Sequence, residues 1–409
     1  MEEPAAREER ALRREIGFFG SAFLAFNGAV GAGIFALPAT LDTQFGDFSP
    51  WLFPLFGLLV LTLVLPFARL ASLFPQSGGP VAYTAAFGPL VSFQVGWIYY
   101  AARVTAFAAN SNVFATYAAA LWPPLGTGAG RAGVILALCG ILTWINIVGV
   151  RRAVAALDAV TLLKALPIVG VAVAALALAA GEIPPPGPLP PLSGVEAAAL
   201  LTLYAFVGFE NSLIPAGETE APRRTIPRAL VATLVATAFL YFLVQLAYVA
   251  VRPAAGETPL VALGAAVAGP AGGLALTLAA LFSIAGNATG SMISTPRVTY
   301  ALGRDGLLPG WFARVSPRWA TPANSILFMG AAAAALALSG SFVWLAVAST
   351  LARLFVYAAC LAALPAAERR AGGRAALAWA GVLVGLLVCI WAAAQSEWPA
   401  WRLLLGLLA

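Results

Sequence analysis

Asn27-Gly-Ala-Val-Gly-Ala-Gly-Ile-Phe35 lies in the middle of an apolar run, with Pro38 one turn further on. Three glycines within six residues weaken a helix by about 1 kcal/mol each relative to alanine, so a helix through this run is predicted to break near its centre. Tyr204-Ala-Phe-Val-Gly-Phe-Glu-Asn211, followed by Pro215, repeats the arrangement in the second half of the chain. Unwound backbone in the middle of an apolar span is tolerated only where it lines a cavity or is buried in protein. Interrupted spans at matching positions of two halves point to a transporter's binding site. Either glycine set alone fits close helix packing as well; the matched pair, with proline after both, favours two breaks.

The surrounding sequence is that of a membrane protein. It is 61% hydrophobic and only 10% charged, with a mean hydropathy of +0.90, outside the range of soluble domains. Apolar runs of bilayer length recur throughout: 17–41, 51–74, 90–121, 131–149, 155–180, 195–217, 228–251, 270–301, 323–339, 342–366 and 375–395. A last apolar piece, 398–409, is too short to cross; it reads as a truncated or interfacial helix. The first 16 residues mix both charges and are too polar for a signal peptide. Loops counted alternately separate an arginine-rich set (Arg151, Arg152, Arg223, Arg224, Arg228, Arg304, Arg314, Arg318, Arg369, Arg370, Arg374 and the N-terminal arginines) from a set holding Arg131, Arg252 and several acids. Positive loops stay inside, so the expectation is a multi-pass protein of the cell (inner) membrane with a cytoplasmic N-terminus. The +6 net charge follows from that asymmetry, and no nucleic acid partner is expected.

No histidine is present, which removes histidine triads, histidine metal sites and histidine proton relays. Cys139, Cys360 and Cys389 lie in apolar segments and read as small hydrophobes. No metal, cofactor or catalytic residue is expected. The chemistry instead lies at the breaks. A half-helix starting near Gly33 presents free N–H groups and a positive dipole end, suited to a carboxylate; half-helices ending near Val30 and Val207 present carbonyls, suited to an ammonium. Together they suit the α-carboxylate and α-amino group of an amino acid. Against 22 arginines stands one lysine, Lys164, inside the apolar run Ala159–Pro167. A lone ammonium at membrane depth is a functional candidate, and lysine, unlike arginine, can exchange its proton there. The competing reading is a fixed charge tying the fifth span to carbonyls of the first.

Three motifs resemble the amino acid–polyamine–organocation (APC) superfamily: Gly31-Ala-Gly-Ile-Phe-Ala-Leu-Pro-Ala-Thr-Leu41; Tyr204–Glu210 with Ala216-Gly-Glu-Thr-Glu-Ala-Pro-Arg-Arg-Thr-Ile-Pro227; and Thr299-Tyr-Ala-Leu-Gly-Arg-Asp-Gly-Leu-Leu-Pro309. The resemblance covers essentially the whole chain. It implies an all-α polytopic membrane protein with the LeuT-type five-plus-five inverted repeat, broken helices 1 and 6, and one or two extra C-terminal helices. Its parts would be a cytoplasmic tail at 1–16, a first repeat at 17–180, a Pro-rich external connector at 181–194, a second repeat at 195–366, and C-terminal helices at 367–409. It also implies a substrate site formed by Ala29, Val30, Gly31, Ala32, Gly33 and Ile34 of the first break and Tyr204, Phe206, Val207 and Gly208 of the sixth, with Ser291 alongside. Within it the Gly31–Gly33 backbone takes the carboxylate, and the carbonyls of Ala29, Tyr204 and Val207 take the amino group. Ala32 stands where many relatives have serine, so one hydroxyl contact is missing. Lys164 matches a fifth-helix lysine of proton-coupled and exchanger members, at the point where sodium sits in sodium-coupled proteins of this fold. Glu210 matches an acid used in pH-dependent transport.

Arg103, in Tyr99-Tyr-Ala-Ala-Arg-Val-Thr105, departs from the pattern, which places a small residue in the side-chain pocket. It either selects an anionic substrate group or forms an intramembrane ion pair, with Glu210 as the candidate partner. Arg353 is a gate or a snorkelling residue. Ser283, Asn287, Thr289, Ser291, Ser294 and Thr295 mark one span as polar, either along a permeation path or for helix packing; Arg297, Arg304 and Asp305 suggest an ion-pair gate at its end. An ion channel would need pore loops or charge rings, and an enzyme a clustered acid–base pair. A sensor would need a signalling domain. The reading is a secondary active, proton-coupled amino acid symporter, or alternatively a sodium-independent exchanger with Lys164 as a structural charge. Its partners would be an amino acid, the proton and the lipid bilayer, and it would be a monomer or homodimer.

Overall fold

The computed structural model describes residues 14, 16–75, 78–148, 153–179, 184–254, 256–373 and 375–408. Most of the expected N-terminal tail, Arg151, Arg152, Arg374 and the start of the Pro-rich connector lie outside the described residues. What is described is almost wholly helical, with one isolated bridge between Ile16 and Thr219. In chain order the helices are α1 (Phe18–Ala29), α2 (Gly33–Phe45), α3 (Leu52–Leu73), α4 (Pro80–Thr84), α5 (Pro89–Leu121), α6 (Gly128–Val148), α7 (Ala153–Leu178) and α8 (Leu192–Tyr204). They continue as α9 (Pro222–Val251), α10 (Pro259–Ser294), α11 (Pro296–Arg304), α12 (Ala323–Ser339), α13 (Phe342–Arg370), α14 (Ala375–Ala394) and α15 (Trp398–Leu408).

The helix ends follow from local sequence. Pro89, Pro222 and Pro259 open α5, α9 and α10, where a missing N–H costs nothing. Ser341 caps α13 by accepting from the N–H of Trp344 at 3.4 Å. Six described segments are long and apolar enough to cross a membrane: Gly33–Leu73, Gly128–Val148, Leu192–Ser212, Pro222–Val251, Pro259–Arg304 and Phe342–Arg370. The expected spans fall on helices apart from interruptions in the first and sixth, and the helix of the eighth begins earlier than expected, at Pro259. Ala268 and Gly269 leave helical geometry, Gly269 at φ 61°, so 259–268 forms a separate arm. Residues 398–408 are helical and turn back at 114° to α14. Large side chains such as Leu58 (66%) and Phe239 (65%) are exposed on the outside of the bundle, the pattern of a protein whose solvent is lipid.

Both predicted breaks are present. α1 stops at Ala29, Val30 takes φ −83° and ψ 82°, and α2 begins at Gly33. α8 stops at Tyr204, residues 205–208 turn, and a short 3₁₀ segment follows at Phe209–Ser212. The breaks touch each other through backbone. A Cβ built on Gly28 would lie 2.2 Å from the Gly208 carbonyl oxygen, and one on Gly208 would lie 2.3 Å from that of Gly28. Gly208 also has φ 114°, which other residues rarely adopt. Around this crossing α9 packs along α3 and α1, α13 along α5, and α10 along α7.

Replacing Gly208 with alanine should therefore destabilise the protein by about 2 kcal/mol or more, from backbone strain and overpacking together. Gly140→Ala, where a Cβ meets nothing within 4 Å, should be neutral or stabilising. Thermal unfolding of the two purified variants in detergent checks the contrast; equal melting temperatures would discount the crossing.

Candidate functional site

The first break is held open by side chains from four helices. Lys164 of α7, fully buried, donates to the Asn27 side-chain oxygen at 2.6 Å and to the Val30 carbonyl at 2.9 Å. Asn287 of α10 donates to the carbonyls of Asn27 at 2.5 Å and Gly28 at 3.0 Å. The Tyr241 hydroxyl of α9 reaches the Ala29 carbonyl at 3.4 Å. The carbonyls that a broken helix leaves at its C-terminal end are thus occupied by protein donors. On the other side Asn110 of α5 accepts from the Ala32 N–H at 3.3 Å and the Tyr204 hydroxyl at 3.2 Å, and donates to the Asn287 side-chain oxygen at 2.8 Å. One amide and lysine network therefore links both breaks to α5, α7 and α10. The N–H groups of Gly33 and Ile34 begin α2, ahead of any carbonyl their own helix supplies.

A cavity lies between the breaks, lined by Gly28, Ala29 and Gly31–Gly33 of the first, Val207 and Gly208 of the second, and Arg103, Ala106, Asn110, Tyr204, Asn211, Asn287, Ser291 and Arg353. It is closed down to about 20 Å³, room for a single water, so any larger solute needs it to widen. Arg103 fills one end. Its Nε donates to the Thr295 hydroxyl at 2.9 Å, its Nη2 to Ser294 at 3.0 Å and Ser291 at 3.3 Å, and its Nη1 to the Asn211 side-chain oxygen; the Tyr99 ring lies 5.8 Å away.

The expected ion pair of Arg103 with Glu210 is not formed. Glu210, fully buried, accepts from its near neighbour Gly208 N–H at 2.8 Å and from the Tyr357 hydroxyl at 2.9 Å, and faces Arg353 Nε at 3.5 Å. Arg353 is 4% exposed and lines the cavity, so it does not snorkel. The Arg103–Glu210 pair is one of two sequence alternatives for Arg103, argued from the cost of a lone buried charge, which does not choose between two arginines at membrane depth; Glu210 faces Arg353 of α13 instead. Arg304 and Asp305 form only an exposed neighbouring pair. The inter-helix link at that arginine-rich end is a two-pronged Arg69–Glu368 bridge between α3 and α13, with Glu368 buried and Arg69 half exposed. At the opposite end Arg252 bridges Asp42 at 3.6 Å and Asp47 at 2.5 Å.

The amino acid permease family profile matches residues 16–397. This chain belongs to the amino acid permease family, within the APC superfamily. The permease is 30% identical over 348 residues to an uncharacterized transporter of Mycobacterium tuberculosis (strain H37Rv), which covers 80% of this chain and 74% of the relative. An uncharacterized transporter of Mycobacterium bovis matches over the same extent. It is 27% identical over 355 residues, 81% of this chain and 76% of the relative, to the branched-chain amino acid permease BcaP of Bacillus subtilis. These relatives mark it as a transporter, not an enzyme.

Among the residues singled out from sequence, Ala29, Gly31, Ala32, Gly33, Arg103, Tyr204, Val207, Gly208 and Ser291 line the cavity of the permease. Val30 faces Lys164 with its carbonyl, Ile34 is buried in the core, and Phe206 packs on Phe53 and Tyr241. Lys164 lies behind the first break and Glu210 behind the second. Sequence reasoning missed Asn110 and Asn211 as lining residues. Their only signal is that an asparagine is costly in an apolar span.

Removing one member of the Glu210–Arg353 pair should cost about 3–5 kcal/mol by leaving the other charge buried alone. Glu210→Gln and Arg353→Met should each melt well below the parent, and the double variant should recover part of the loss. Additive losses in thermal unfolding would show that the two do not act as a pair.

Proposed function

We propose that the permease is a secondary active, proton-coupled amino acid transporter working by alternating access, with its amino acid bound in the cavity between the two breaks. The α-carboxylate takes the N–H groups at the start of α2, and the α-amino group takes the carbonyls of Ala29, Tyr204 and Val207. The observation that carries the coupling is the position of Lys164. Its ammonium sits on the negative end of the α1 dipole and holds the break itself. Loss of its proton removes that attraction and frees α1 to move against α7.

The packing supports an inverted repeat spanning 17–180 and 195–366. The third span (α5) packs on the tenth (α13), and the fifth (α7) on the eighth (α10), the same pairing with the halves exchanged. The arginine-rich end is assigned to the cytoplasm by the positive-inside rule. A second reading rests on the same geometry: with both of its bonds to α1 made, Lys164 also suits an exchanger as a permanent charge.

Uptake of radiolabelled alanine, leucine, glutamate and arginine into proteoliposomes, without sodium and with or without an inward proton gradient, tests this. Gradient-stimulated uptake is expected, and Lys164→Ala should abolish its pH dependence. Unchanged pH dependence in that variant would rule out the lysine's role. Uptake only into liposomes preloaded with substrate would establish the exchanger.

A further inference from the structure

Four buried or cavity-lining charges surround the two breaks: Lys164, Arg353, Glu210 and Arg103. Lys164 is met by the carbonyl end of α1 and Arg353 by Glu210. Arg103 differs. It is 2% exposed, it cannot shed its charge, and all its hydrogen-bond partners among the described residues are neutral: Thr295, Ser294, Ser291 and Asn211. The nearby carboxylate, Glu210, is already engaged by the Gly208 N–H, Tyr357 and Arg353. Lys164 also meets only neutral oxygens but can give up its proton. A buried charge is ordinarily matched by an opposite one, so Arg103 is the fixed positive charge at the cavity with no opposite charge among its described partners.

The hydroxyls and the amide around Arg103 orient its fork without neutralising it. They come from α10, from Thr295 just beyond it and from the turn after the second break, so the guanidinium is held at a fixed end of the cavity. The other end is the start of α2, marked by Asn110 on the Ala32 N–H. Arg103 and Asn110 lie two turns apart on one face of α5, about 10 Å between α-carbons. The cavity therefore has an anion-stabilising feature at each end. A zwitterionic amino acid with an apolar side chain satisfies only one of them and leaves the guanidinium without a counter-charge.

We propose, resting on the transport reading above, that the permease takes amino acids with an anionic side chain, and that Arg103 selects them by a two-pronged pairing with the side-chain carboxylate. The α-carboxylate stays with α2, the side-chain carboxylate exchanges places with the Asn211 and serine contacts of Arg103, and the missing counter-charge arrives with the substrate.

The test uses the purified full chain in two formats. In detergent, glutamate, aspartate, glutamine and leucine are each titrated against its thermal unfolding; in proteoliposomes the same four are offered for uptake, in chloride and in gluconate. Glutamate or aspartate should stabilise and be taken up at concentrations ~100-fold or more below glutamine, its neutral isostere. Arg103→Met, of similar length, should erase that preference, and Arg103→Lys should keep part of it. Leucine or glutamine acting better than glutamate on the parent protein would overturn the proposal, and so would a glutamate preference surviving in Arg103→Met. Neutral amino acid uptake that requires chloride would also overturn it, by making an inorganic anion the partner of Arg103. Stabilisation by glutamate without uptake of any of the four would uphold the substrate class while removing the transport reading, whereas leucine uptake alone would do the reverse.

Discussion

Two backbones meeting without side chains between them set the geometry of this permease. Gly28 and Gly208 bring the broken spans to within a carbonyl oxygen's contact of each other, which no residue with a Cβ allows. The approach has two consequences. It keeps the two stretches of unwound chain at the same depth, and it turns their polar groups toward one small space. The rest of the bundle is arranged to hold that crossing in place, with α9 against α1 and α3 on one side and α5, α7 and α10 on the other.

Breaking a helix within a membrane leaves backbone groups that water cannot satisfy. Here the cost is met by two asparagines, a tyrosine and a lysine, each from a different part of the chain. Asn287 alone covers two carbonyls, and Asn110 joins the two breaks through a single side-chain oxygen. Such a network has few alternatives of equal quality, because any shift of α1 must break several of its bonds together. That favours discrete arrangements over gradual ones. The ion pairs at the two ends, Arg69 with Glu368 and Arg252 with Asp42 and Asp47, join bundle helices where water is near.

Much of the architecture was legible in the sequence. Apolar runs of bilayer length mark the spans, and glycine clusters with following prolines mark both breaks. These signals are local, so they survive without knowledge of packing. Partner choice is not local. Glu210 pairs with Arg353, 143 positions later, because the left-handed turn at Gly208 fixes its direction; spacing carries no trace of that. The lining roles of Asn110 and Asn211 were hidden for a related reason: their chemistry is apparent, but which face of the bundle they turn to depends on tertiary contact. The arm before Gly269 was also missed: at 259–268 it is too short to span a bilayer, and the expected span begins after it, at 270.

Lys164 carries the chain's one ε-amine and is fully buried. Apart from an α-amine, the sequence offers amine-directed reagents a single target, and that target lies under the segment that the proposed mechanism sets in motion. The rate of its acylation, read by intact mass, becomes a clock for opening of the first break. The native sequence thus contains its own conformational reporter, with no engineered cysteine or spectroscopic tag required.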